Sequence, residues 1–130
     1  MDHAGRRCER GRVSPLDPSV AGQLAASLPE EEFRRLLHTF EADLGRLAAD
    51  CVRAAGDADE AGVRRAAHSL VGAAAAIGAS RLEAAARAAL EQPFLAPPRD
   101  LAERVRTEAV AALAALAALA SPGAEAQRAE

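Results

Sequence analysis

Lysine is missing from all 130 residues, and every one of the sixteen basic side chains is arginine. That absence excludes a phosphate-loop lysine, a kinase lysine and a Schiff-base lysine. Tryptophan and tyrosine are missing too, which leaves Phe33, Phe40 and Phe94 as the aromatic residues. Neither sign of charge dominates: the net charge is −3 with no long basic or acidic block, and a nucleic-acid partner, which would demand a basic stripe, is not expected. The longest apolar stretch, Val110 to Ala120, is too short to cross a bilayer. No apolar run near the N-terminus reads as a signal peptide, so the expected location is cytoplasmic, without a membrane partner. Of the two cysteines, Cys8 lies in a polar tail and Cys51 on a predicted helix; a disulfide is possible by count and supported by nothing else. His3, His38 and His68 are not spaced as metal ligands, and no Cys-His or Ser-His-Asp arrangement stands out. No metal or cofactor is expected on this chain.

What the sequence has in abundance is alanine within a composition that is half apolar. Alanine packs well in helices and poorly as a β face, so an all-α fold with close helix contacts is expected. The length suits one domain. Residues 1–13 lack periodicity and read as a disordered arm, residues 14–120 as a helical domain, and residues 121–130 as a disordered tail. Asp17 is a natural N-cap with Pro18 at the first helical position, opening a short helix to about Leu28. Pro29 opens a longer one, with Glu30, Glu31 and Glu32 at its positive end. Its seam is Phe33, Leu37, Phe40, Leu44, Leu47 and Cys51, and Gly56 ends it. Asp57 or Asp59 caps a third helix with a buried stripe of Val63, Ala67, Leu70, Ala74 and Ile77. Gly78 suits a left-handed cap there. Ser80 can cap a fourth helix carrying Leu82, Ala86, Ala89 and Leu90, which stops at Pro93. A final helix, about Arg99 to Ala120, shows Leu101, Val105, Leu113, Leu116 and Leu119. Its Ala-Ala-Leu repeat has the look of a dimer zipper, but a strict seam of about two heptads favours packing inside one chain, and a monomer is expected. Short links between amphipathic helices give an antiparallel up-down four-helix bundle with an additional short N-terminal helix.

The third predicted helix contains one residue that its own periodicity does not explain. At about 100° per residue, His68 falls roughly 140° from the centre of the buried stripe and faces outward. An ordinary outward face carries Glu, Arg, Lys and Gln, whereas here small residues follow the histidine and Arg64 and Arg65 precede it. Gly72 costs about 1 kcal/mol relative to alanine in a helix interior. Helical side chains lean toward the N-terminus, so a side chain at position 72 would lean over His68; glycine leaves the ring open. The competing explanations for Gly72 are close packing against another helix and chance. His38, beside the second-helix seam, reads as a boundary or surface residue.

The run Ala67-His68-Ser69-Leu70-Val71-Gly72-Ala73-Ala74-Ala75-Ala76-Ile77-Gly78-Ala79 resembles the signature of histidine-containing phosphotransfer (HPt) domains, AH-x-L-K-G-x-A-x-x-x-G-A. The resemblance extends over roughly residues 15–120, including the Leu-Asp-Pro opening and the Arg-Arg-Ala-Ala-His lead-in. It implies that His68 accepts a phosphoryl group from a phospho-aspartate on a response-regulator receiver domain, or a hybrid histidine kinase carrying one, and passes it to another receiver aspartate. The Mg²⁺ would sit on the receiver. A carrier of this kind needs a neutral imidazole, which an ordinary histidine pKa of about 6.5 provides at pH 7. It needs no kinase machinery of its own, so the chain is expected to be a phosphohistidine carrier and not an enzyme.

Val71 departs from the signature, because the family places lysine there as an electrostatic partner for the phosphoryl group. Valine offers neither charge nor hydrogen bond. Arg64, one turn before His68, is a candidate substitute, although it also leans toward Glu60 in a favourable order for a surface ion pair; Arg65 stands behind it. Arg64, Arg65, Val71, Gly72 and Ala75 are therefore the expected phosphoryl environment and docking surface. The alternative is a docking or scaffold module that binds a receiver or another signalling partner without efficient phosphotransfer.

Overall fold

The computed structural model describes residues 14–119, so the expected arm at 1–13, the tail at 121–130 and Ala120 lie outside the described residues. Among the described residues there are five helices and no strand: α1 (Pro18–Ser27), α2 (Glu30–Gly56), α3 (Glu60–Ala76), α4 (Ser80–Ala88) and α5 (Pro98–Leu119). They form a helical bundle in which α2 and α4 each pack against both α3 and α5, while α1 rests on α2.

The start of α1 is set locally. Asp17 Oδ1 accepts from the Ser19 N–H at 2.9 Å, with Pro18 in the first helical position. α2 opens on three glutamates that meet its unpaired N–H groups. α3 begins at Asp59, whose Oδ1 accepts from the Gly62 N–H at 2.9 Å, which decides between the two candidate caps. Ser80 does not cap α4: it is the first helical residue, preceded by Ala79, which makes no side-chain cap bond. α4 also ends at Ala88, earlier than expected. Its last turn tightens to three-residue bonds, Ala89 N–H to Ala86 O and Leu90 N–H to Arg87 O, both 3.0 Å. Leu90 then leaves the helix line and is half-buried. The α4–α5 connection that follows contains a cis Gln92–Pro93 peptide.

The core is built from a few branched side chains, with alanine between them. Leu37, Leu44, Leu70, Ile77, Leu82, Leu116, Val63, Val105 and Cys51 are fully buried. Ala67, Ala74, Ala85, Ala86, Ala89, Ala109 and Ala112 are buried beside them, and their small size lets helix axes approach closely. Some expected seam positions move outward: Phe40, Leu47, Leu113 and Leu119 are half-buried, while Ala48, Ala55, Ala109 and Ala112 take the inner line. The leucines of the Ala-Ala-Leu repeat pack on the core of their own chain. Cys51 is a free thiol with no exposed surface, and burial pushes its pKa up.

Candidate functional site on the outward face of α3

Both ends of α3 are fixed by backbone geometry. At the start, a Cβ on Gly62 would come 2.5 Å from Asp59 Oδ2 and 3.0 Å from the Ala54 Cβ, so the capping carboxylate and α2 occupy the space a side chain would need. At the end, the Ala79 N–H bonds to Ala74 O at 2.8 Å and the Gly78 N–H to Ala75 O at 3.2 Å, the pair of reversed bonds of a Schellman cap. Gly78 has φ +72°, a conformation in which L side chains are strained. Its carbonyl accepts from the Asp17 N–H at 2.7 Å, tying the beginning of α1 to the α3–α4 turn. Between these fixed ends, α3 turns Val63, Ala67, Leu70 and Ala74 inward, each with no exposed surface.

The opposite face carries Ala61, Arg65, His68, Ser69, Gly72, Ala75 and Ala76, all exposed. Periodicity therefore located His68 correctly on the outward side. Gly72 has open space around it: an added Cβ would meet nothing within 4 Å. Close packing against another described helix is therefore not the reason for this glycine, although Gly22, Gly45 and Gly56 are open in the same way. Ala75 and Ala76 extend the same low surface toward the C-terminal end of α3.

His68 opens onto a shallow depression of about 600 Å³ bounded by Arg64, Arg65, Ser69, Leu90 and Gln92. The two arginines are held differently. Arg64 Nη2 donates to the Glu91 carbonyl at 3.0 Å, its guanidinium carbon lies 4.1 Å from the centroid of the Phe94 ring, and Nη1 is 3.8 Å from Glu60 Oε1. Its side chain is only 20% exposed, and Nε is buried without a hydrogen-bond partner. A cation over a phenyl ring contributes about 0.5–1 kcal/mol at an exposed site and more where water is excluded. The sequence-based pairing with Glu60 is present but long; the loop after α4 holds this side chain more firmly. Arg65 is 74% exposed, with a single loose ion pair to Asp59 at 3.9 Å.

Val71 is half-buried and packs against the core, on the flank of α3 that also carries Arg64. No charge replaces the missing lysine at that position. Sequence reasoning missed Leu90, Gln92 and Ser69 as boundaries of the depression, and it missed the Arg64–Phe94 contact. A phenylalanine in a proline-flanked loop close behind a helix was the available signal, because such a ring needs a surface to cover. His38 is exposed on α2, with Nδ1 3.3 Å from Glu41 Oε1, away from these residues. Among the described residues, no group of three or more His, Cys, Asp or Glu side chains is arranged to hold a metal ion.

Comparison with known families decides what this face belongs to: the model of the Hpt domain matches residues 31–121. The chain is a member of the Hpt domain family. The match begins one residue into α2 and leaves α1 outside, so it is narrower at the N-terminal side than the sequence resemblance. No curated protein and no solved structure matches this chain. Hpt domains are helical phosphocarrier modules of phosphotransfer signalling and not kinases. No helix among the described residues is long and apolar enough to cross a membrane.

Proposed function

We propose that this Hpt domain is a phosphorelay carrier in which His68 is the phosphoacceptor. The observation that carries the reading is the pairing of an exposed imidazole with a glycine four residues later that opens onto empty space. Helix propensity and packing both disfavour such a glycine, whereas an approaching receiver domain requires the clearance it leaves. The unprotonated ring nitrogen attacks phosphorus in line. A nitrogen–phosphorus bond forms as the bond to the donor aspartate oxygen breaks, and the carboxylate leaves with its electron pair. The second ring nitrogen keeps its proton throughout. Transfer onward reverses the roles with another receiver aspartate, and the receiver supplies Mg²⁺. Catalysis of this kind is positioning plus charge neutralisation, so the carrier's task is to present the ring.

Arg65 replaces Arg64 as the cation best placed to meet a phosphoryl group or an acidic receiver surface, because it is exposed and loosely paired. Gly72 and Ala75 provide the flat surface for docking, and Val71 contributes shape without charge. The aliphatic Val71 and the tethered Arg64 also favour a second reading, a docking module that binds a receiver but transfers slowly. One assay separates the two. The protein is mixed with phosphorylated receiver domains from its source cell, and acid-labile, base-stable label is measured on wild type and on His68→Gln. Label on wild type and none on the variant supports the carrier. Binding without label, unchanged in His68→Gln, supports the docking module and ends the carrier reading.

A further inference from the structure

We propose that Arg64 is a positioning residue: it clamps the α4–α5 connection into place as one wall of the depression over His68, and this wall sets how a receiver reaches the imidazole. The inference rests on the carrier reading and adds to it an element that the family signature does not contain.

Three observations meet at this side chain. Arg64 bridges 27 residues of sequence to donate to the Glu91 carbonyl at 3.0 Å. Its guanidinium lies 4.1 Å from the Phe94 ring centroid. Leu90 and Gln92, the neighbours of Glu91 in the chain, border the depression that His68 faces. The segment 89–97 has no helix of its own. Apart from Ala89 and Leu90 in the closing turn of α4, its backbone–backbone hydrogen bonds are the acceptances by Pro97 O that begin α5. Arg64 therefore supplies a polar tie between the middle of this connection and α3, beside the packing of Leu90, Phe94 and Ala96 on the core. Beyond Phe94 the connection presents Leu95, 81% exposed. A planar guanidinium suits this work, since it stacks on a ring and donates in plane at the same time; an ammonium cannot do both.

A direct role on the phosphoryl group predicts something different. A cation serving the phosphoryl group acts with any donor, whereas a wall acts only on a donor large enough to touch it. Phosphoramidate is a suitable small donor. The imidazole nitrogen attacks its phosphorus, the P–N bond breaks, and ammonia leaves from the zwitterionic form with its protons already in place. The test compares wild type, Arg64→Met, Arg64→Lys and Phe94→Ala for the rate of His68 labelling by phosphoramidate and by a phosphorylated receiver domain. Backbone ¹⁵N order parameters of Gln92, Phe94 and Leu95 are measured on the same proteins.

The expected result is that all three variants lower the order parameters toward the flexible range, below about 0.6. They slow transfer from the receiver on the order of tenfold, the scale on which misplacement acts, and leave phosphoramidate labelling within about twofold of wild type. Phe94→Ala leaves the Arg64 charge in place, so its agreement with Arg64→Met isolates the wall from the charge. The proposal is overturned if Arg64→Met slows both donors alike and Arg64→Lys restores them, because Arg64 then serves the phosphoryl group directly. Unchanged order parameters, or unchanged receiver transfer in the presence of loosened order parameters, overturn it as well. If neither donor labels wild type, the carrier reading itself fails and takes the receiver gating with it, a result distinct from the others.

Discussion

The two faces of α3 are built from nearly the same small residues to opposite ends. On the inner face, Ala67 and Ala74 have no exposed surface and let neighbouring helices come close. On the outer face, Ala61, Gly72, Ala75 and Ala76 are exposed, and none of the described helices lies over them. Small size inside is explained by packing density; outside, the alanines favour the helix by propensity alone, and Gly72 carries a cost. The difference shows that composition alone cannot assign a role to an alanine-rich helix. The direction in which each residue points, together with what a larger side chain would meet there, assigns it.

The sharpest way to break this comparison is to remove the one reactive group on the outer face. His68→Gln is expected to abolish receiver-dependent labelling while shifting stability by no more than about 0.5 kcal/mol, as for other exposed helix positions. Denaturant unfolding and the label assay together check both halves. A loss of more than about 2 kcal/mol would mean that His68 supports the fold and that the two faces are not separate in function. On the inner face the expectation inverts: Leu70→Ala, two residues away and fully buried, is expected to cost about 2–5 kcal/mol. Labelling per folded molecule is expected to persist at temperatures where the variant remains folded.

Glycines sharpen the comparison further, because Gly72 and Gly78 sit on the same stretch of chain under opposite constraints. Gly72→Gln is expected to raise stability by about 0.5–1 kcal/mol through helix propensity. It is also expected to slow receiver-dependent transfer, since its side chain leans over His68. Gly78→Ala is expected to lower stability by about 1–2 kcal/mol from the left-handed backbone alone, and by more because the new Cβ would lie 2.9 Å from the Val20 and Asp17 Cβ atoms. A Gly72→Gln protein that transfers at the wild-type rate would remove the clearance argument for the outer face.

How much of this was legible in the sequence follows from how local each cause is. The Asp17 cap, the Gly78 turn and the outward position of His68 are set by neighbours within a few residues, and the spacing of side chains reveals them. The inner line of α5 was less clear, because Ala109 and Ala112 displaced Leu113 for reasons of fit against other helices. The early end of α4 and the turning away of Leu90 were not legible, since nothing in a helical period marks where a loop will be caught. The Arg64–Phe94 contact was the least legible, because it joins residues 30 apart in sequence and depends on a loop folding back over α3. From its own helix Arg64 read as either a surface ion-pair partner of Glu60 or a partial phosphoryl partner, with Arg65 behind it. The loop occupies Arg64, whose side chain is 20% exposed, and leaves Arg65 74% exposed.

Val71→Lys is the subtlest change and the one that bears most directly on the family signature. Val71 is half-buried on the core flank of α3, so a lysine there keeps its aliphatic stem along that surface and carries its ammonium outward. The lean of helical side chains brings that charge toward His68. A unit charge about 4 Å from another in water-like surroundings is worth roughly 1 kcal/mol, which corresponds to about a fivefold change in rate. Receiver-dependent phosphotransfer is therefore expected to speed up by about that factor, and to do so less at high salt, where exposed charges are screened. Stability is expected to fall slightly from lost contact at the core flank. An unchanged transfer rate, with Arg65→Ala then slowing transfer, would mean that Arg65 already fills the electrostatic role from the opposite flank of the outer face.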